Sequence, residues 1–452
     1  MPVFASTQEE ALSLLDDLIA KARKAGADAA DAVLFDSASL SLSMRLGQPE
    51  RLERSESGDL GLRVFVGKRQ AIVSSSDRKP AALDELVERA VAMARMVPED
   101  PYCGIADPDQ IFTGPLPDLD VFDATEPAAE FLMDRARIAE ATAMAVAGVT
   151  NSEGADASWS QSQIVLAASN GFRGGYARSG HGLSVSVLAG EGTGMERDYD
   201  FTSGVYLADL ADPAEIGRRA GEKAVRRLNP RKVGTQKVPV IYDPRVANGL
   251  VGHLSGAING TGIARGTSFL KEAMGQMVFG PSINIIDDPL KKRGPRSKPF
   301  DGEGIPTRRR TVIENGRLTT WFLDLRSARQ LGLTTTGHAA RGTSGPPSPS
   351  ATNLYLAPGD KTPAELMADI KQGFYITELM GQGVNGLTGD YSRGAAGFWI
   401  ENGQLAFPVS EMTVAGNLKD MFRELTPAND LVFRYGVDSP TVRLEGMTVA
   451  GM

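Results

Sequence analysis

Leu12, Leu15, Ile19 and Ala22 recur at helical spacing behind two capping-box pairs, Ser6 with Glu9 and Thr7 with Glu10, and Gly26 is placed to stop the helix. The period then changes to two. Leu40, Leu42, Met44 and Leu46 alternate with polar residues, as do Leu60, Leu62, Val64 and Val66. A turn at Gly67-Lys68 leads into Ala71-Ile-Val73, so residues 30–75 predict an antiparallel sheet with one face inward. Helical spacing returns over 81–97, and Pro98, Pro101, Pro108, Pro115 and Pro117 mark a connector. A long helix is expected over 125–147 with Thr125 as its cap. Strands follow over 159–208, with Asn170-Gly171 as a two-residue hairpin turn, and a helix over 213–228.

Asn229-Pro230-Arg231 reads as a boundary, with a new unit starting at Val238. Two more Asn-Gly hairpins are expected, at Glu314-Asn-Gly-Arg317 and Glu401-Asn-Gly-Gln404. Helices are fewer here: 245–258, 362–371 and 416–423. Residues 337–350, rich in Gly, Ser and Pro, are expected as a loop that no core could absorb. The fold class is α+β: a helix-flanked antiparallel sheet in the N-terminal half and a large sheet-dominated C-terminal domain. The expected divisions are 1–117, 118–232 and 233–452.

Composition narrows the function classes. Lys and Arg number 48 against 56 Asp and Glu, a net charge of −8, which argues against direct nucleic-acid binding. The single cysteine, Cys103, excludes an internal disulfide framework. No apolar stretch approaches the ~18 residues of a membrane helix, and the first ten residues lack a secretory pattern, so the expected address is the cytoplasm. Glycine is abundant at 50 residues, clustered at 249–280 and 381–403, which predicts tight turns or backbone that something approaches closely.

Candidate chemistry is sparse. His181, His253 and His338 are far apart in sequence and form no zinc motif; His338 is expected to be solvated and His181 structural. Gly381-Gln-Gly383-Val-Asn-Gly386 matches a dinucleotide fingerprint, but no helical period follows it. Ser268-Phe-Leu-Lys271 matches a serine acyl-enzyme pair without its companion motifs. Cys103 has no nearby histidine to activate it. The basic stretch from Lys291 to Arg310 reads as a solvated loop that could also meet phosphate or an acidic segment.

Longer motifs carry more. The block from Gly249 to Leu270, containing Gly-Thr-Gly-Ile-Ala-Arg-Gly-Thr-Ser, resembles the TldD/PmbA family. So do Gly373-Phe-Tyr-Ile-Thr-Glu, the run from Asp390-Tyr-Ser-Arg to Gly403, and Glu411-Met-Thr-Val-Ala-Gly-Asn417. The family has two kinds of subunit. The TldD kind carries His-Glu-x-x-x-His and a distant cysteine, and is the zinc protease subunit. The TldE kind, also called PmbA, lacks both and pairs with it to cleave unfolded peptides. Counting back from Arg265-Gly266-Thr267-Ser268 puts the motif positions at Val251, Gly252 and Gly256, none of which can bind zinc or accept a proton. No cysteine follows Cys103.

The resemblance therefore implies the TldE kind: no catalytic residue and no metal in this chain, with zinc in a TldD-like partner. It also implies unfolded peptide substrates and leaves open a homodimer when the chain is alone, while the lack of a long apolar stretch predicts no membrane association. Family roles include maturation of peptide antibiotics such as microcin, antitoxin degradation and modulation of DNA gyrase. Two alternatives are a non-proteolytic homodimeric modulator of gyrase or of a toxin–antitoxin pair, and a peptidase with an unrecognised nucleophile. Arg265, Gly266, Thr267, Ser268, Asn385, Gly386, Gly389, Tyr391, Ser392 and Gly397 are expected to line or border a peptide cavity, because glycine and small polar residues suit main-chain contacts.

Overall fold

The computed structural model describes Phe4 and residues 6–451; residues 1–3, 5 and 452, at the outer ends of the expected 1–117 and 233–452 spans, lie outside them. The first half runs α1 (Gln8–Lys24), β1 (Ala29–Arg45), β2 (Gln48–Val66), β3 (Arg69–Ser75), α2 (Pro80–Met96), α3 (Ala129–Met144), β4 (Val149–Ala168), β5 (Arg173–Ala189), β6 (Glu196–Gly204) and α4 (Pro213–Arg226). Its strands form one sheet in the order β3-β2-β1-β4-β5-β6, so the spans 1–117 and 118–232 contribute three strands each.

The α1 cap works through the second of the two predicted pairs: Thr7 Oγ1 accepts from the Glu10 N–H and the Glu10 carboxylate accepts from the Thr7 N–H. Alternation along β1 sends Ala30, Ala32 and Leu34 beneath α1 and α2, and Ala38, Leu40, Leu42 and Met44 beneath α3 and α4, so all four helices cover one face. On the other face Val33, Leu166 and Phe172 meet Phe300 of the C-terminal half.

That half runs β7 (Gln236–Tyr242), α5 (Pro244–Ala257), α6 (Gly260–Ala264), β8 (Ile285–Asp287), β9 (Arg310–Glu314), β10 (Arg317–Leu318) and α7 (Leu325–Leu331). It continues with β11 (Ala339–Ala340), β12 (Ser348–Pro349), β13 (Leu354–Leu356), α8 (Pro363–Met367), β14 (Gln372–Met380), β15 (Asp390–Glu401), β16 (Gln404–Asn417), α9 (Leu418–Glu424), β17 (Thr426–Pro427), β18 (Val437–Asp438) and β19 (Val442–Ala450). The order β16-β15-β14-β7-β19, with β19 pairing again to β16, closes five strands into a ring around Val240, Phe374, Ile376, Trp399, Val414 and Leu444. The fold is α+β, as expected.

Several local expectations need correction. Thr125 does not cap α3, which starts at Ala129; its N–H is instead held by Asp123 in the extended approach. The Asn170-Gly171 hairpin exists, but Ala167 pairs with Arg173 and the Gly171 N–H reaches Ala168 O, a wider loop with only Gly171 at positive φ. The helix expected at 362–371 is confined to Pro363–Met367.

The largest correction is residues 337–350. His338 is buried against Phe322 and held by Thr336 (2.8 Å) and Asp287 (3.2 Å), not solvated. Arg341 reaches Asp31, which Arg63 also grips, in a buried cluster with Glu303. The loop is absorbed because it brings its own partners for buried carboxylates, Arg341 for Asp31 of β1 and His338 for Asp287 of β8. The basic stretch follows the same logic: Arg293 bridges Asp120 and Asp209, and Lys298 is half-buried with its amine on Ala339 O.

Candidate functional site

Asp243 caps α5 by accepting from the Arg245 N–H, and Pro244 at its first turn sets the entry. Ala247, Leu250, Val251, Leu254 and Ala257 then bury one face. The opposite face carries Gly249, Gly252 and Gly256, and a Cβ added at any of them would meet nothing within 4 Å. Among the three motif positions, Val251 therefore points into the core while Gly252 and Gly256 open outward. His253 flanks this open face, its ring edge-on to Tyr391 at 5.9 Å. Burial, with a contribution from Arg393, holds His253 below the ordinary histidine range, so it is neutral at pH 7. Tyr391 in turn lies 3.5 Å from the Tyr242 hydroxyl, inside the ring of strands.

After α5, Asn259 caps α6 and also donates to Pro349 O. The chain then turns at Gly266, whose φ of +71° places Thr267 outward and Ser268 inward. Ser268 Oγ donates to Ala257 O and accepts from the Leu270 N–H, so both its capacities serve the fold and it is no nucleophile. Arg265 is exposed and makes no ion pair among the described residues. The next residue but one past Thr267 joins the two glycine-rich segments: the Phe269 N–H donates to Gly386 O at 2.9 Å.

The second segment is organised by Asn385. Its side chain accepts from the Leu387 and Thr388 N–H groups, its N–H donates to Asp390 O, and its carbonyl accepts from the Gly389 N–H. No helix follows Gly386, so the dinucleotide fingerprint is a loop between β14 and β15. Thr267, Gly383, Asn385, Gly386, Leu387 and Ser392 line an open hollow of about 700 Å³, with Tyr391 at its base. Gly389 is buried beside it against the Asn417 side chain. Gly397 is elsewhere: it sits in the barrel wall, where a Cβ would lie 2.0 Å from Tyr375 O.

Sequence reasoning missed a second cleft, of about 480 Å³, between β6 and the barrel, lined among others by Tyr199, Phe201, Arg226, Tyr375 and Arg434. Its floor is tied by Arg245, which grips the buried Asp198 through two bonds of 2.6 and 3.2 Å. The alternation Asp198-Tyr-Asp-Phe201 was the available signal, since it puts carboxylates on the buried side of an edge strand.

The donors do not fit a resident zinc. Valine and glycine at 251, 252 and 256 offer no ligand atom, His253 has no companion donors grouped with it, and no grouping of three His, Cys, Asp or Glu able to hold a metal occurs among the described residues. Cys103 is buried, with its thiol pushed up chiefly by desolvation. No helix among the described residues is long and apolar enough to cross a membrane.

Comparison with known proteins agrees along the whole chain. Residues 30–94, 122–228 and 235–451 match the models for PmbA/TldA metallopeptidase domain 1, the central domain and the C-terminal domain. The chain is 39% identical to metalloprotease PmbA of Escherichia coli O157:H7, covering 94% of this chain and 92% of that one. It is 36% identical to a PmbA homologue of Haemophilus influenzae over 95% and 94% of the two chains. A solved Bacteroides thetaiotaomicron protein, described as a candidate modulator of DNA gyrase, superposes with a TM-score of 0.90 at 28% identity over 98% and 99%. TldE from Thermococcus kodakarensis shares the fold, with a TM-score of 0.86 at 20% identity over 97% and 100%. With all three domains matched in order and relatives aligned nearly end to end, the chain belongs to the PmbA/TldD metallopeptidase family.

Proposed function

We infer that this chain is the non-catalytic subunit of a two-subunit zinc protease, pairing with a zinc-bearing member of its family and helping to hold unfolded peptide in extended form. The observation that carries this reading is the open glycine face of α5. Glycine inside a helix costs about 1 kcal/mol relative to alanine, so three on one face cost roughly 3 kcal/mol. Among the described residues nothing lies within 4 Å of a Cβ placed on Gly249, Gly252 or Gly256. A backbone arriving from outside explains the clearance, because only glycine lets another main chain approach a helix so closely. The adjoining hollow, with the exposed Thr267, Asn385 and Ser392 side chains, supplies polar contacts that ask little of the peptide's sequence.

The catalytic metal and its activated water belong to the partner in this reading. This chain's own share is orientation: the α5 face and the hollow limit where an extended peptide can lie. A cytoplasmic address is part of the proposal, and the lone reduced Cys103 is compatible with it. Co-expression with the zinc-bearing subunit followed by cleavage of an unfolded peptide is the test. The pair should cleave and this chain alone should not. Gly256→Leu should lower cleavage by the pair about tenfold or more at unchanged melting temperature. Full cleavage by the folded Gly256→Leu pair would remove the glycine face from the mechanism. The relative described as a candidate gyrase modulator favours a second reading, a binding protein without proteolytic role; a pair that binds but never cleaves peptide would select it.

A further inference from the structure

The first sheet has an open edge. β3 pairs only with Leu60–Val66, so β2 from Gln48 to Asp59 has β1 on one side and no strand on the other among the described residues. Residues 48–57 are all exposed, including Leu52 at 54%. Twelve unpaired residues span about 40 Å, an unusually long edge to leave to solvent.

The charges along it are Glu50-Arg51-Leu52-Glu53-Arg54. We propose that two copies of this chain pair antiparallel along this edge, about a two-fold axis through Leu52. A two-fold axis normal to a sheet keeps each face on its own side, so opposing residues must share a face and one-residue slips are excluded. Centred on Leu52, the pairing sets Leu52 against the second copy's Leu52, and Arg51 against its Glu53 on both sides of the axis. Glu50 faces Arg54 one step further out, next to the bulge that leaves Glu50 unmatched between Arg51 and Pro49 in the β1 register.

Neighbouring registers fail. Centring on Arg51, Glu53 or Arg54 opposes each charge with its own twin. Centring on Ser55 would run residues 48–50 of the second copy over Leu60–Leu62, where β3 already lies. The Leu52 register avoids this collision. It brings the Leu46-Gly47 turn, with Leu46 57% exposed, to the groove beside Ser57, Gly58, Ser76 and Arg78, where β3 ends. In the single chain Arg51 pairs with Glu53, Glu50 with Arg45, and Arg54 with both Glu56 and Glu126, in exposed contacts that exchange readily.

This inference is independent of the zinc-subunit reading, and its test uses this chain alone. Sedimentation velocity from about 1 to 100 µM should show a reversible monomer–dimer equilibrium. Glu53→Arg sets Arg51 against arginine twice and should weaken association about tenfold or more. The double swap Arg51→Glu with Glu53→Arg restores opposite charges across the axis and should return association to within about threefold of the native chain. All positions are exposed, and circular dichroism checks the fold. A native chain that stays monomeric throughout, a dimer indifferent to Glu53→Arg, or a double swap as weak as the single variant would each overturn the proposal.

Discussion

Helices α4 and α5 are both fourteen residues long, and both interrupt their helical period with glycine. In α4, Gly217 and Gly221 are pressed against α3: a Cβ at Gly217 would lie 2.1 Å from Ala139 O, and one at Gly221 2.7 Å from Val146. In α5 a Cβ at Gly249, Gly252 or Gly256 would meet nothing within 4 Å among the described residues. The same residue at the same helical cost has one cause that is visible inside the chain and one that is not. α4 is glycine-bearing because two helices approach closely. α5 keeps glycine where the chain's own packing would accept alanine, and that difference is why the proposal rests on the α5 face and not on the larger glycine count elsewhere.

The sharpest test compares sealed and open glycines within one segment of the barrel half. Gly397→Val forces a branched side chain onto Tyr375 O and should abolish soluble folding or cost well over 3 kcal/mol, whereas Gly386→Ala, with only Thr267 O at 4.0 Å, should leave the melting temperature nearly unchanged. Next in size, Gly217→Ala should destabilise by about 3 kcal/mol in urea unfolding, because backbone on α3 must move to admit the methyl group. Near-native stability for this variant would erase the contrast between the two helices.

Carboxyls divide between sealed and open surroundings in the same way. On the open hollow, Thr388 and then Asn417 hold the Asp390 carboxyl below its ordinary range. Glu303, sealed beneath the 337–350 loop, is pushed up to about 8 by burial and by the neighbouring Asp301. Between pH 4.5 and about 8 the folded state therefore keeps a proton that the unfolded chain releases. Stability from this group falls as pH rises through that window, by at most about 1.4 kcal/mol per unit. Glu303→Gln should flatten the fall, read as urea midpoints at pH 5.5 and 7.5; parallel curves for the two proteins would place the proton elsewhere. The smallest effect is the most diagnostic for function. Gly252→Ala should stabilise by about 0.5–1 kcal/mol through helix propensity while lowering peptide cleavage by the reconstituted pair. A gain in stability with unaltered cleavage would leave α5 without a reason for its glycines.

Local chemistry was legible wherever partners sit a few residues apart. The Thr7–Glu10 cap forms as spaced, and the turns at Asn315-Gly316 and Asn402-Gly403 adopt φ of 48° and 81°, and 48° and 78°. Those angles follow from the dipeptide itself, since asparagine and glycine tolerate the left-handed region that a tight hairpin requires. The two segments assigned to a peptide cavity, 265–268 and 385–392, do meet, but that rests on a backbone bond across more than one hundred residues, from Phe269 to Gly386. Composition alone could not separate Gly386 at the hollow from Gly397 in the barrel wall.

By itself the sequence determined the helix and strand periods, the α+β class, the hairpin turns and the absence of zinc ligands at 251, 252 and 256, because each depends on residue type at short separation. Tertiary structure decided the rest. Residues 337–350 look too polar to bury, yet Asp31, Asp287 and Asp301 await them from 38 to 310 positions away, and a buried charge is affordable only when its partner arrives. Whether a glycine is sealed, as at Gly217, or left open, as at Gly252, depends on what the fold brings to within a few ångströms of its α-carbon, and no local pattern in the chain encodes that distance.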